Sequence, residues 1–580
     1  MKKILLGAVS AMALATAAHA DTSTSTVTQL GSTQNATVTQ TAAFSSDSTI
    51  TQSNANNKAT VIQAGADNLS KITQSANGAK ANVDQDSRVD APTSNDPTNA
   101  AFITQSGAST AGVTQDGEGN AAHVDQSGAN STATVVQLNA NRPVPGAANR
   151  LNEATIGQDA DAANASIDQN GEGDYSSIIQ TADADGSIAS STQYGEDNAS
   201  DIEQSGKNSL ATVYQQSGPG TAGNGSYSSV DQSGQDNSAD VYQLGAGNDS
   251  YVKQDGSDGD VKVRQTGSDN SSDIYQTAFG GSTVDVKQNG QGNSSFVRQA
   301  STGSIVTVDQ NGTDNLSNVV EIAGGSSVTV EQTGDENSAN VGQLTAFGEA
   351  DVHQNGTRNS ANVGQAGAGV SVDVEQDGTE NVSNTLEIAA LSSVNVNQEG
   401  VRNLSNVGQL GYTATVGVLQ AGNRNLSNVG QASGLDFDAQ FSQVDVSQIG
   451  DDNRSGVSQG GLDQQAFVRQ YGDSNESGIL QIGTNNYANV TQTGNGNSSD
   501  VEQGGLDNHA ELAVNGSFNG SEIFQSGSAN VASVTQNGDH NLSLVDQSGA
   551  LNSATVTQST DWNSSTVTQS GTGNIAMVNQ

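Results

Sequence analysis

The sequence predicts an all-β chain folded as a β-solenoid of about 24 two-strand rungs, amyloid-like in its stacking. Three observations carry that prediction. A Gln or Glu recurs every 11 residues from Gln299 to Gln431, and again from Gln448 to Gln580 with Val514 as the exception. An aliphatic residue stands two positions before nearly every marker, Ser191 and Thr385 being the exceptions. In the central block the marker alternates between a QxGxxN turn and a looser one, so the full repeat is 22 residues.

Composition alone points elsewhere. With 32% hydrophobic residues, 4% aromatic residues and a formal charge of -43, the chain has the profile of a disordered polymer. Disorder has no reason to keep a register, so the repeat overrides composition. The negative charge excludes a nucleic-acid partner, which needs a basic face. With no cysteine, disulfides, thiolate metal sites and a cysteine nucleophile are also excluded.

Taken from the start, residues 1–20 read as a signal peptide. Lys2 and Lys3 precede an apolar run from Ile4 to Ala17, and Ala18-His19-Ala20 supplies a small-x-small site, so cleavage is expected after Ala20. A run of that length is too short for the hydrocarbon core of a bilayer, about 30 Å thick. The repeat array then occupies 21–580.

Each rung is built from two strand-turn units. Ser327-Val328-Thr329-Val330-Glu331-Gln332 alternates with period two and ends at a Gly/Asn turn, and Asn337 to Gln343 alternates in the same way. Alternation assigns the faces. The aliphatics Val308, Val330, Val341, Val352, Val363, Val374, Val396 and Val407 are expected in the core. Beside them the amides point inward: Gln310, Asn315, Gln332, Asn337, Gln343, Gln354, Asn359 and Gln365, then Gln376, Asn381, Gln398, Asn403, Gln409, Gln420, Asn425 and Gln431. A lone buried amide is costly, but identical amides stacked about 4.8 Å apart hydrogen-bond along the axis as a ladder. One rung buries too little to stand alone, so neighbours must complete it.

Four longer spacings predict looped insertions near 86–99, 138–152, 216–227 and 432–442. Pro92, Pro97, Pro143, Pro145 and Pro219 all fall in the first three, as expected if the regular units are hydrogen-bonded strands.

No catalytic, cofactor or metal site is expected. His123, His353, His509 and His540 are scattered, without an HExxH pair. The GxGxxG string at Gly218, Gly220 and Gly223 has no helix pattern after it. Asp183, Asp185 and Gly186 imitate part of a calcium loop, but Thr192 stands where its bidentate Glu belongs.

The pattern SxxxxxQxxxxNxxxxxQ resembles the curlin repeat of curli fibre subunits. It occurs at Ser326, Gln332, Asn337 and Gln343, at Ser392, Gln398, Asn403 and Gln409, and at Ser442, Gln448, Asn453 and Gln459. Another copy, Ser304, Gln310 and Asn315, ends in Glu321. The resemblance implies a secreted bacterial protein that self-assembles into extracellular functional amyloid of the biofilm matrix, serving surface adhesion and aggregation. It further implies passage through an outer-membrane secretion channel, polymerisation on a nucleator subunit, and contact with a surface or host matrix. The chain is far longer than a typical subunit of that family.

A different class stays open, a monomeric extracellular solenoid acting as an adhesin or as an ice- or glycan-binding protein. Its signal would be Thr-x-Thr rows such as Thr26 to Thr28, Thr37 to Thr39 and Thr566 to Thr568. Two outward features complete the reading. Acidic residues such as Asp309, Glu331 and Glu375 lie on the 22-residue repeat, where stacking is expected to line them up in repelling rows. The recurring NVGQ places Gly342, Gly364, Gly408 and Gly430 on a flat outer strip.

Overall fold

A computed structural model describes residues 22–87, 99–139, 151–218, 224–277, 279–322, 324–432 and 441–580, with the backbone of 14–18. The chain divides into an N-terminal unit, Met1–Gly292, and a C-terminal unit, Asn293–Gln580. Among the described residues every regular element is a β-strand. Each unit is a β-solenoid built from two parallel sheets, and the turns of the two number about 24 in all.

In each unit a strand pairs in parallel with the second strand after it, so consecutive strands lie in opposite sheets. In the C-terminal unit Ser327–Asp335 pairs with Glu349–Thr357, matching Val330 to Val352 and Gln332 to Gln354. On the other sheet Ser338–Ala346 pairs with Ser360–Ala368, matching Val341 to Val363. The N-terminal unit follows the same rule, with Ser238–Leu244 on Asp260–Ser268. Side chains alternate in and out with the pleat: Val328, Val330 and Gln332 are buried while Thr329 and Glu331 face outward.

The corner between the sheets is made by QxGxxN. Gly334 has φ +107, and a Cβ there would lie 2.0 Å from the carbonyl oxygen of Gly356 in the next rung, so only glycine fits. Two residues on, Glu336 is left-handed at φ 55, as are Arg358, Glu380, Arg402 and Arg424 at the equivalent places. That conformation costs a residue with a Cβ about 1 to 2 kcal/mol. It persists because each corner N–H is tied to the rung below, as in Arg358 N–H to Asp335 O at 2.9 Å.

The expected insertions fall largely on 88–98, 140–150, 219–223 and 433–440, which lie outside the described residues, as do all five prolines. On either side the pairing keeps its register. Leu426–Ala432 matches Val429 to Val457, and Lys80–Asp86 matches Val83 to Val113. Within the expected leader, Leu14–Ala18 forms a short strand parallel to Asn35–Phe44.

Candidate functional site

Identical side chains meet along the axis, and the polar chemistry of the molecule is concentrated there. In the C-terminal unit the Nε2 of Gln310 donates to Oε1 of Gln332, and the same bond links Gln332 to Gln354, Gln354 to Gln376, Gln376 to Gln398 and Gln398 to Gln420, each at 2.8 Å. Gln420 continues to Gln448 at 2.8 Å. The second N–H of each amide reaches a carbonyl at the start of the opposite strand, as in Gln332 to Leu316 O at 3.0 Å. These glutamines are buried, and the bonds on both sides of each amide supply what burial would otherwise deny.

Asparagine does the same at the corner by a different route. Oδ1 of Asn337 accepts the backbone N–H of Asn359 at 3.0 Å, and its Nδ2 donates to Gly356 O at 3.0 Å. Asn315, Asn359, Asn381, Asn403 and Asn425 repeat this arrangement. The glycine that cannot carry a Cβ thus presents the carbonyl that the asparagine needs. Between the amide columns, Val308, Val330, Val352, Val374 and Val396 stack in register, and Val341, Val363 and Val407 fill the facing sheet.

The facing amide column is interrupted. Gln343 donates to Gln365 and Gln409 to Gln431, both at 3.0 Å. Glu321 and Glu387, both buried, occupy this column without an amide N–H to pass on. The consequence is visible one rung later, where Oε1 of Gln343 and Oε1 of Gln409 have no hydrogen-bond partner. Val514 interrupts the other sheet, and Oε1 of Gln536 is orphaned in the same way. Each orphan follows a residue that lacks the amide, so the ladder is directional: every rung completes the next.

Burial pushes the Glu387 carboxyl up to about 8, against a lowering pull from Gln365. In the N-terminal unit Asp174 takes an asparagine place and is pushed up to about 7, chiefly by burial, with hydrogen bonds from Asn198 pulling it down. Its Oδ1 accepts the Asn198 N–H at 3.0 Å while Oδ2 has no partner. The sequence repeat counted Glu with Gln as one marker because the two share a shape; the missing N–H was the signal that would have separated them.

Outside, the expected acid row holds only in part: Asp309 lies opposite Glu331, and beyond Glu331 the row is broken. Between Glu331 and Glu375 stands His353, whose Nδ1 lies 3.1 Å from Glu331, and Asn397 donates to Glu375 at 2.7 Å. At the corners Arg358 meets Glu336 and Arg402 meets Glu380, each at 2.5 Å, and Arg424 meets Asp452 at 2.6 Å. The arginines hold Glu336, Glu380 and Asp452 below the usual carboxylate range. The spacing of 22 that aligns acid with acid equally aligns acid with arginine. Two further outward columns escaped the sequence reading, an asparagine ladder beside the NVGQ glycines and a stack of Phe518, His540 and Trp562 at 5.4 and 4.1 Å.

Thr-x-Thr rows are short. Thr26 and Thr28 continue to Thr49 and Thr51, after which Lys71 follows Thr49. Thr566 and Thr568 adjoin Leu544 and Asp546. No group of three or more His, Asp or Glu side chains placed to hold a metal occurs among the described residues.

A repeat-based solenoid with amide columns defines a class of structural fold, and comparison with known families narrows it. The curlin associated repeat matches seven segments, 108–138 and 234–267 in the N-terminal unit and 349–378, 465–494, 483–513, 519–549 and 552–580 in the C-terminal unit. The chain is a curlin-repeat protein. No curated protein matches the chain significantly.

Proposed function

We propose that the chain is a secreted, non-enzymatic structural protein that polymerises into extracellular amyloid-type fibres of a bacterial biofilm matrix. One observation carries the reading: in the glutamine columns a buried amide oxygen is left open where the rung before it supplies no amide N–H, as at Gln343, Gln409 and Gln536. A stack therefore ends in a row of open donors on one side and open acceptors on the other, together with unpaired strand edges. The surface that fits both is another copy of the same stack. The leader at residues 1–20 supports export, and the curlin repeats support a nucleator, an outer-membrane channel and a surface or host matrix as partners.

The adhesin or ice-binding reading draws less support, since the Thr-x-Thr row that starts at Thr26 and Thr28 ends after two rungs and that of Thr566 and Thr568 has no Thr pair beside it. The test uses purified residues 21–580 at neutral pH. Fibres with a meridional reflection near 4.8 Å are expected. Protein that stays monomeric and soluble at high concentration, or that shapes ice crystals as a monomer, would overturn the proposal.

A further inference from the structure

In the C-terminal unit the two sheets present opposite outer surfaces. One carries Asp309, Glu331, Asp351, Asp373 and Glu375. The other, over six strands from Leu316–Glu321 to Leu426–Ala432, has no charged residue at any outward position. In a chain of net charge -43 such a face needs a reason.

Three features say what it fits. First, its asparagines are already paired with each other: Asn340 to Asn362 at 3.0 Å, then Asn362 to Asn384, Asn384 to Asn406 and Asn406 to Asn428 at 2.8 Å. Amides bonded along the column lose little when water is excluded, as in a dry interface between stacked sheets. Second, the glycines of this face are not required by the rung. A Cβ on Gly408 or Gly430 would meet nothing nearer than 4.0 Å, in contrast to the corner glycines. Glycine within a strand is otherwise a cost, so its recurrence points outward, to a backbone that something approaches closely. Third, the same column carries a protrusion. Leu386 is 55% exposed and leans over Gly364, where an added Cβ would come within 3.2 Å of its Cδ1. The pair Gly408 and Gly430 is left as an open trough, part of a groove of about 920 Å³.

We propose that this face packs against the same face of a second copy of the chain, related by a two-fold axis, with each Leu386 seated over the partner's Gly408–Gly430 trough. A knob and a hole on one face, offset along it, are what an isologous contact requires. The size is adequate: six rungs about 4.8 Å apart and strands of about seven residues give about 650 Å² per copy, and about 1,300 Å² in total falls within the range of stable interfaces. The absence of charge permits close approach that the acidic face forbids. Pairing is lateral and so is separate from end-to-end growth.

The experiment compares wild-type residues 21–580 with Gly408→Lys/Gly430→Lys, with Leu386→Asp, and with Thr329→Lys/Asn395→Lys on the opposite face as control. The trough has room for a side chain and Leu386 is exposed, so melting should be unchanged in all. Mass per length by scanning transmission electron microscopy should show two chains per cross-section for wild type and control and a two-fold lower value for both face variants. If no fibres form, the proposed function fails, yet sedimentation equilibrium still reads the pairing, as dimer against monomer. Single-chain wild type, or face variants that keep the doubled mass, would overturn the inference. So would wild type that stays single and binds cellulose or chitin fragments through this face, which would make the occupant a glycan.

Discussion

The two glutamine columns of the C-terminal unit share one backbone geometry and differ in continuity. From Gln310 to Gln420 one column is unbroken, with every bond at 2.8 Å. Its counterpart passes through Glu321 and Glu387, and the oxygen following each acid is orphaned. Strand pairing continues through both sites, with Glu321 opposite Gln343 and Glu387 opposite Gln409. Backbone and amide ladders are therefore separable: the first holds the fold, and the second adds a directional lock that a single atom type can open.

The largest expected effect comes from deleting the three amides of one rung, one from each glutamine column and one from the corner. Gln332→Ala/Asn337→Ala/Gln343→Ala should lower stability by about 1 to 3 kcal/mol for each amide whose stacked partners lose their bonds. Chemical denaturation of the C-terminal unit reads this directly, and an unchanged midpoint would mean that the columns are decoration.

Repair of the broken column is the converse. Glu387 has a folded value of about 8 against an ordinary 4.5. A raised acid is protonated in the fold while the unfolded chain is ionised, so its contribution is intact below about 4.5, falls as pH rises, and is fully lost above about 8. Glu387→Gln should remove that pH dependence and stabilise the protein at pH 7 by on the order of 1 to 3 kcal/mol. A variant whose stability still declines between pH 5 and 8 as steeply as wild type would show that the acid is not the cause.

Val514→Gln should act more mildly, by about 1 kcal/mol, because it restores one neutral hydrogen bond to Gln536 and carries no charge term. The smallest effect is expected for Ser405→Ala. Its hydroxyl is buried without a partner, and Ala339 and Ala361 occupy the same column, so loss of the hydroxyl should be neutral or slightly stabilising. Thermal melting of the two variants against wild type orders these effects.

The repeat, the strand-turn-strand rung and the inward direction of Val330, Gln332 and Asn337 were legible in the sequence, because period two and period 22 act on residues one at a time. Pairwise chemistry was not. That Arg358 sits against Glu336, or that His353 divides Glu331 from Glu375, requires knowing which residue is adjacent along the axis. The left-handed corners were hidden for another reason: Glu336, Arg358 and Glu380 carry no glycine to announce positive φ. Asp174 was missed because its corner looks like any other acidic turn until its burial is known.

Seeded growth tests the central claim, that a rung is completed only by another rung, most directly. Sonicated wild-type fibres added to wild-type monomer should abolish the lag and give a rate proportional to the number of ends, while Gln332→Ala/Asn337→Ala/Gln343→Ala monomer should add slowly to the same seeds. Seeds that leave the wild-type lag unchanged, or a variant that elongates them at the wild-type rate, would contradict it.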